Sequence, residues 1–351
     1  MISRPSAVVR LDGRAFDARS AGLLELRVDL GLARHDAATL GLAPGSPLDP
    51  SPGARLEIAL GEAGAEEPVW SGSVIERVDA PAGLRVEALT PSHALSAARR
   101  AEVYLQQSVA QIVRDLVSDT VPINTLEGDL ALDVYTVEPR RTVWDYVVEL
   151  AHLADCVLSS TADGALRLVA SGGSAGAIGG ALGALGALAG ESDALRRGAE
   201  LLSWRLGPSS ASSGPARALA AVGAASEQGA TRWHWLRARP TPVGSVPAAG
   251  SPRLVGAVRT RAAAEQVAEG MAARRARGET VGELVAVGRP SLRPGQTVRV
   301  ADLPSGDATL RLESVTHRLS SHAGFLTHAR GVADAGSGAL GGVGSLSGWM
   351  P

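Results

Sequence analysis

SPGARLEIAL occupies Ser51–Leu60, and RPGQTVRVAD occupies Arg293–Asp302. Each opens on Pro-Gly, runs two free positions, and continues apolar-charged-apolar. Alternation of period two turns one side of a strand to a core and the other to water. Downstream of the first copy lies SVIERVDAPAGLRVEA, Ser73–Ala88, and downstream of the second SVTHRLSSHAGFLTHA, Ser314–Ala329. Aligned without a gap, Ser73, Val74, Arg77, Ala82, Gly83 and Ala88 fall on Ser314, Val315, Arg318, Ala323, Gly324 and Ala329. The Pro-Gly pairs stand 242 positions apart and the downstream stretches 241. Each copy reads as a turn, a strand, a second strand, a glycine turn and a third strand. The sequence thus predicts two related antiparallel β modules. Their turns fall at Pro52, Gly53 and Gly83, and at Pro294, Gly295 and Gly324.

The fold class expected is α+β, mainly β: two related antiparallel β modules, of sandwich or β-barrel type, plus a small α+β domain. With 351 residues, of which 45% are apolar, the chain can bury a sizeable core. The net charge of −2 excludes a strong field for nucleic acid or an anionic membrane. All 34 basic residues are arginine, the mark of a GC-rich genome. Aromatic residues make up 3%, too few for sugar platforms or base stacking. The single cysteine, Cys156, forms no disulfide framework and reads as a small buried hydrophobe. The N-terminal stretch MISRPSAVVRLDGRAF has no apolar signal core, so synthesis in the cytoplasm without a signal peptide is expected. The most apolar stretch, Ala175–Gly190, is too short and glycine-rich for a membrane helix, so no stable membrane insertion is expected.

Six segments follow from composition and periodicity. Residues 1–95 hold the first β module, with VVRLDG, LLELRVDL, RLEIAL, VWSGSVIERV and GLRVEAL as strands. Residues 96–170 form the α+β domain. One helix there starts after Ser108, with Gln111 completing a capping-box pattern, and another after Thr142, with Asp145. ALDVYTVEP lies between them as a strand, and CVLSS and LRLVA make a hairpin. Residues 171–200 are a Gly/Ala-rich insertion, and 201–250 a β-rich connection containing LLSWRL and TRWHWLRA, with a linker at PTPVGSVPAAGSP. Residues 251–332 hold a helix near Arg261–Arg277 and the second β module, and 333–351 a flexible tail.

No residue is nominated for catalysis or for binding a cofactor. Gly-x-Ser-x-Gly, Walker A and His-Glu-x-x-His patterns are all missing from the sequence. His317, His322 and His328 share one module, but their spacing and the lack of cysteine argue against a metal. His234, between Trp233 and Trp235, reads as a surface residue.

The order of these features resembles a known family. A β module ending VWSGSVIERVDAPAGLRVEAL is followed by SVAQIVRDLVSD, then VYTVEPRRTVWDYVVELAHLADCVLSSTADGALRLV, then GRPSLRPGQTVRV and LRLESVTHRLSSHAGFLTHARG. Over about residues 50–332 this resembles the baseplate hub proteins of contractile phage tails and related injection machines, the late control D family. The hub half of VgrG spike proteins of type VI secretion is similar. The resemblance implies a non-enzymatic homotrimer in which each chain carries two tube-like β-barrel domains, so that three chains present six quasi-equivalent barrels. It would be a symmetry adapter joining a hexameric tail tube protein to a trimeric spike protein, beside other baseplate components such as a LysM adaptor. It also implies residence in a virion or phage-like particle. With no spike domain before Pro351, the spike is expected as a separate protein, and Trp349 as a docking point in the tail. The alternatives are the tail-tip hub of a long non-contractile tail and, from another class, a cell-wall hydrolase built on β domains.

Overall fold

The computed structural model describes residues 4–81, 83–171, 194–208, 219–223, 239–243, 257–258, 261–278 and 280–333. The expected strand TRWHWLRA with His234, most of the Gly/Ala-rich stretch, and the tail with Trp349 lie outside the described residues.

The first seven strands are β1 (Pro5–Leu11), β2 (Arg14–Asp17), β3 (Leu23–Gly31), β4 (Ala37–Leu42), β5 (Arg55–Glu62), β6 (Ala65–Ala80) and β7 (Gly83–Leu89). Alternation builds them: in β3 Leu26, Val28 and Leu30 are buried while Glu25, Arg27 and Asp29 face outward. The sequence reading missed β4, whose AATLGL carries small residues of low strand propensity. Its burial nevertheless alternates strictly, with Ala38, Leu40 and Leu42 inside.

A second unit follows. It comprises β8 (Glu102–Ser108), helix α1 (Val109–Val117), β9 (Ile123–Leu126), β10 (Ala131–Val137), helix α2 (Val143–Leu153), β11 (Cys156–Ser160) and β12 (Leu166–Ala170). Both helices open with complete capping boxes, Ser108 with Gln111 and Thr142 with Asp145. Each box satisfies two backbone donors that would otherwise lack partners.

Later come β13 (Leu195–Arg196), β14 (Leu201–Pro208), β15 (Leu219–Gly223), β16 (Arg239–Val243) and helix α3 (Arg261–Arg277). The last strands are β17 (Thr280–Val287), β18 (Thr297–Ala301), β19 (Ala308–Ser320) and β20 (Gly324–Ala333). β16 corrects one expectation: PTPV, read as linker, pairs with β15. A two-stranded ribbon consists only of edges, so its prolines leave no inner ladder position empty.

Thirteen strands make one largely antiparallel sheet, with the path β14-β17-β20-β19-β3-β4-β7-β6-β5-β1-β2 and β18 and β13 attached beside β19. The two halves of the chain meet where β19 pairs with β3, from Ser314 opposite Gly31 to Ser320 opposite Glu25. One hydrophobic core runs beneath both halves, from Ala7 and Leu60 to Leu284 and Leu319. The path's ends, β14 and β2, do not pair with each other.

A second core gathers α1, α2 and the hairpin β11–β12, and it also takes in Ala264 and Val267 of α3. Helix α3 is locked there by charge: Arg274 and Arg277 both reach the Asp155 carboxylate, at 3.1 Å each. The approach is so close that a Cβ on Gly270 would lie 2.7 Å from the Asp155 Cβ.

Candidate functional site: matching edges and the joint behind them

The two Pro-Gly turns have the same backbone form. Gly53 has φ 90° and Gly295 φ 87°, values in the left-handed region that glycine adopts without strain. Gly53 N–H donates to the Val74 carbonyl, and Val74 N–H returns to Ala54. Gly295 N–H likewise donates to Leu312, and Leu312 N–H returns to Gln296. Pro52 and Pro294 precede these glycines. Gly83 (φ 130°) and Gly324 (φ 69°) close the hairpins that follow. Those hairpins start in one register, Ser73 facing Leu89 and Val74 facing Ala88 as Ser314 faces Arg330 and Val315 faces Ala329. They differ by one residue nearer the turn, where Val78 faces Arg85 but Leu319 faces Phe325. The Pro-Gly turns bond the middle strands at different places: Val74 precedes Gly83 by nine positions, whereas Leu312 precedes Gly324 by twelve. Each middle strand carries a bulge, after Val74 in one and before Ser314 in the other.

The correspondence extends past the hairpin. In one half a row runs Val74, Ala88, Ala38, Val28 across β6, β7, β4 and β3. In the other it runs Val315, Ala329, Leu284, Trp204 across β19, β20, β17 and β14. So β14 stands to its half as β3 does to the other, and β19 as β6. The seam joins the β6-like strand of the second half to β3 of the first. Among the described residues this leaves two corresponding edges open, besides those of β2 and of the smaller sheets. Beyond Val74, β6 pairs with β7 alone, and apart from one bridge from Leu201 to Arg197, β14 pairs with β17 alone. Exposed apolar side chains gather there: Ile75 and Val78 on β6, Leu202 on β14 and Val287 on β17.

Behind the seam, Arg293 reaches from the second Pro-Gly turn into the first half. Its guanidinium donates to the carbonyls of Val69 and, at 2.8 Å, Pro68. Asp36, on the turn after β3, is buried and accepts from Gly31 N–H at 2.8 Å. Burial pushes its carboxyl up to about 7, against the Gly31 hydrogen bond and the charges of Arg34 and Arg293. His317 of β19 is fully buried, with Nδ1 3.1 Å from Thr327 Oγ1. Burial first, and Arg293 second, push it down to about 3, so the ring is neutral at ordinary pH. Next to Asp36, His35 lies between Ser92 and Ser96, at 2.9 and 2.7 Å, and its ring centroid is 4.1 Å from that of Trp144 on α2. The turn between β3 and β4 thus ties the sheet to the α+β unit.

None of the joint residues Asp36, Arg293 and His35 was singled out from sequence. His317 was considered only beside His322 and His328. The structure keeps the three apart: His317 is in the core, while His322 and His328 are exposed. No group of three potential metal-ligating side chains occurs among the described residues. Cys156 is buried, and burial, with Asp155, Glu127 and Asp129 nearby, pushes its thiol up to about 12. An open cleft of about 630 Å³ lies between α2 and α3, with Trp144, Val148 and Met271 among its walls. Its charged side chains are taken up internally, Arg141 with Glu149 and Arg274 with Asp155.

No protein-family model matches the sequence, and no curated protein matches it. Solved structures do share the fold. A tail protein from Neisseria meningitidis superposes with a TM-score of 0.66 at 15% identity, covering 94% of this chain and 97% of that one. The 43 kDa tail protein of prophage MuSo2 from Shewanella oneidensis gives 0.64 at 15% identity, covering 94% and 98%. An E. coli component of the type VI secretion system, described as structurally similar to tail proteins of bacteriophage T4, gives 0.53 at 11% identity, covering 90% and 74%.

Proposed function

We propose that this chain is a structural component of a phage tail or phage-derived injection particle. In this reading it is the baseplate hub, a homotrimeric symmetry adapter between a hexameric tail tube and a trimeric spike. It carries no catalytic role. The observation that supports this most is the strand-for-strand match of the two halves, together with the seam that already joins them. The contact within one chain, β19 to β3, has an unused counterpart: β6 of one chain to β14 of the next. Repeating that contact is heterologous, and three chains whose contacts alternate with three internal seams close a ring of six similar units. Open backbone edges and the apolar Ile75, Val78 and Leu202 beside them suit such pairing. The ring would present near-sixfold symmetry to the tube and threefold symmetry to the spike, around an axial channel. The α+β unit would lie at its periphery, where adaptor proteins of the baseplate dock. The shared fold with phage tail proteins and a type VI secretion component fits this role.

Sedimentation and native mass spectrometry of the purified chain test it. A trimer is expected, with Val78→Lys and Leu202→Lys each reducing it to a monomer whose circular dichroism spectrum is that of the folded chain. A dimer, a monomer with both edges intact, or a trimer indifferent to both substitutions would overturn the ring.

A further inference from the structure

Two of the exposed apolar side chains belong to another sheet than the edges just described. Val103 and Leu105 are 61% and 59% exposed, and both belong to β8. Among the described residues β8 pairs with β10 alone, so one side of its backbone has no strand partner. A two-stranded ribbon is marginal by itself, and a natural sheet edge is normally blunted by lysine, proline or an inward charge. Between Val103 and Ser108 β8 has no charge and no proline. Gln106 holds a left-handed φ of 51°, a conformation that costs a non-glycine residue energy and is found at clamps and binding sites.

The two faces of the ribbon differ in chemistry. Val103 and Leu105 share one face with the partly buried Val134, which sits opposite Leu105 on β10. The other face packs into the second core through Tyr104, Tyr135 and Val137, and carboxylates gather at its margin. Tyr104 OH donates to Glu102 and lies 2.7 Å from Asp115. From Glu102 to Asp133 the sequence holds six carboxylates and one arginine, although the chain as a whole has a net charge of only −2. Asp115, Asp119 and Asp129 are exposed. Arg100, just outside this stretch, is shared by Glu102 and Asp119, at 3.3 and 3.1 Å.

We propose that the free edge of β8 is a docking site for an extended segment of another protein, in which apolar residues alternate with Lys or Arg. The incoming strand completes the open ladder. Its apolar side chains extend the Val103–Leu105 strip, and its cations meet Glu102 and Asp115 at the margin of the opposite face. Such strand addition takes affinity from backbone hydrogen bonds and specificity from alternate side chains. The site is independent of the ring and stands whether or not the ring forms.

The probe is a fluorescent peptide alternating Arg and Val over the seven-residue length of β8. Controls are the same peptide with Glu in place of Arg, and one with the same residues in two blocks. Anisotropy should show binding of the alternating basic peptide only, weakening as salt rises. The double substitution Val103→Lys, Leu105→Lys should weaken it about tenfold or more, and Asp115→Asn by a smaller factor. Helical circular dichroism should be unchanged in both variants. Hydrogen exchange should slow in β8 when the peptide binds. No binding, equal binding of the acidic or blocked peptide, slowed exchange elsewhere but not in β8, or β8 already protected without peptide would each overturn the proposal.

Discussion

Replacing Asp36 by Asn gives a signed test of the joint. Asn keeps an oxygen to accept from Gly31 N–H, 2.8 Å away, and removes the titration. In the folded protein Asp36 binds its proton up to about pH 7, whereas in the unfolded chain it does so only below its ordinary 3.8. Between those values the native state holds more protons, so Asp36 lowers stability as pH rises through the window. The shift of about three units corresponds to at most about 4 kcal/mol above pH 7. His317 acts in the opposite sense. Its folded value near 3 lies below the ordinary 6.5, so its contribution is lost as pH falls through that window. The two partly cancel in the wild type and separate in the difference between proteins. Urea unfolding from pH 4.5 to 8.5 should show Asp36→Asn gaining on wild type by about 2–4 kcal/mol as pH rises, then levelling above pH 7. A constant difference across that range would refute the reasoning and mean that Asp36 stays ionised against Arg293.

Asp155→Asn should cost about 3 kcal/mol, because it leaves Arg274 and the buried Arg277 without their carboxylate. Asn tolerates the left-handed φ of 49° at this position, so Asp155→Ala should cost still more by chemical denaturation. Ser108→Ala and Thr142→Ala should each lower stability by about 1 kcal/mol through loss of a capping box, and their effects should add. Gly72→Ala should be severe, at about 2 kcal/mol or more, since the new Cβ would fall 2.2 Å from the Leu89 carbonyl oxygen. A soluble Gly72→Ala protein with wild-type melting would contradict the packing of β6 on β7.

Strands with alternating side chains, such as RLEIAL and GLRVEAL, were legible in the sequence because alternation is a local signal. The helix starts were legible too, since a capping box lies within four residues. In α3 the helical spacing of Ala264, Val267, Ala268 and Met271 marks the covered side, but does not tell that α2 and its neighbours cover it. A stripe carries no information about its partner. The kinship of β3 and β14 was hidden, because pairing depends on backbone groups that every residue has. Arg293 gave no signal either: its acceptors Pro68 and Val69 lie more than 220 positions away and use main-chain oxygens.

The seam also sets a timetable. Gly31 cannot meet Ser314 until 283 further residues have been made. At roughly 5–20 residues per second, a ribosome needs about 15–60 s to supply them. Through that interval β3 presents Leu26, Val28 and Leu30 on a strand without its final neighbour. β6, the counterpart of β19, emerges far sooner, on the same chain and on every other nascent chain of the polysome. The first half is therefore born facing a decoy for its own missing strand. Productive folding requires that pairing with β6 stay reversible until β19 arrives.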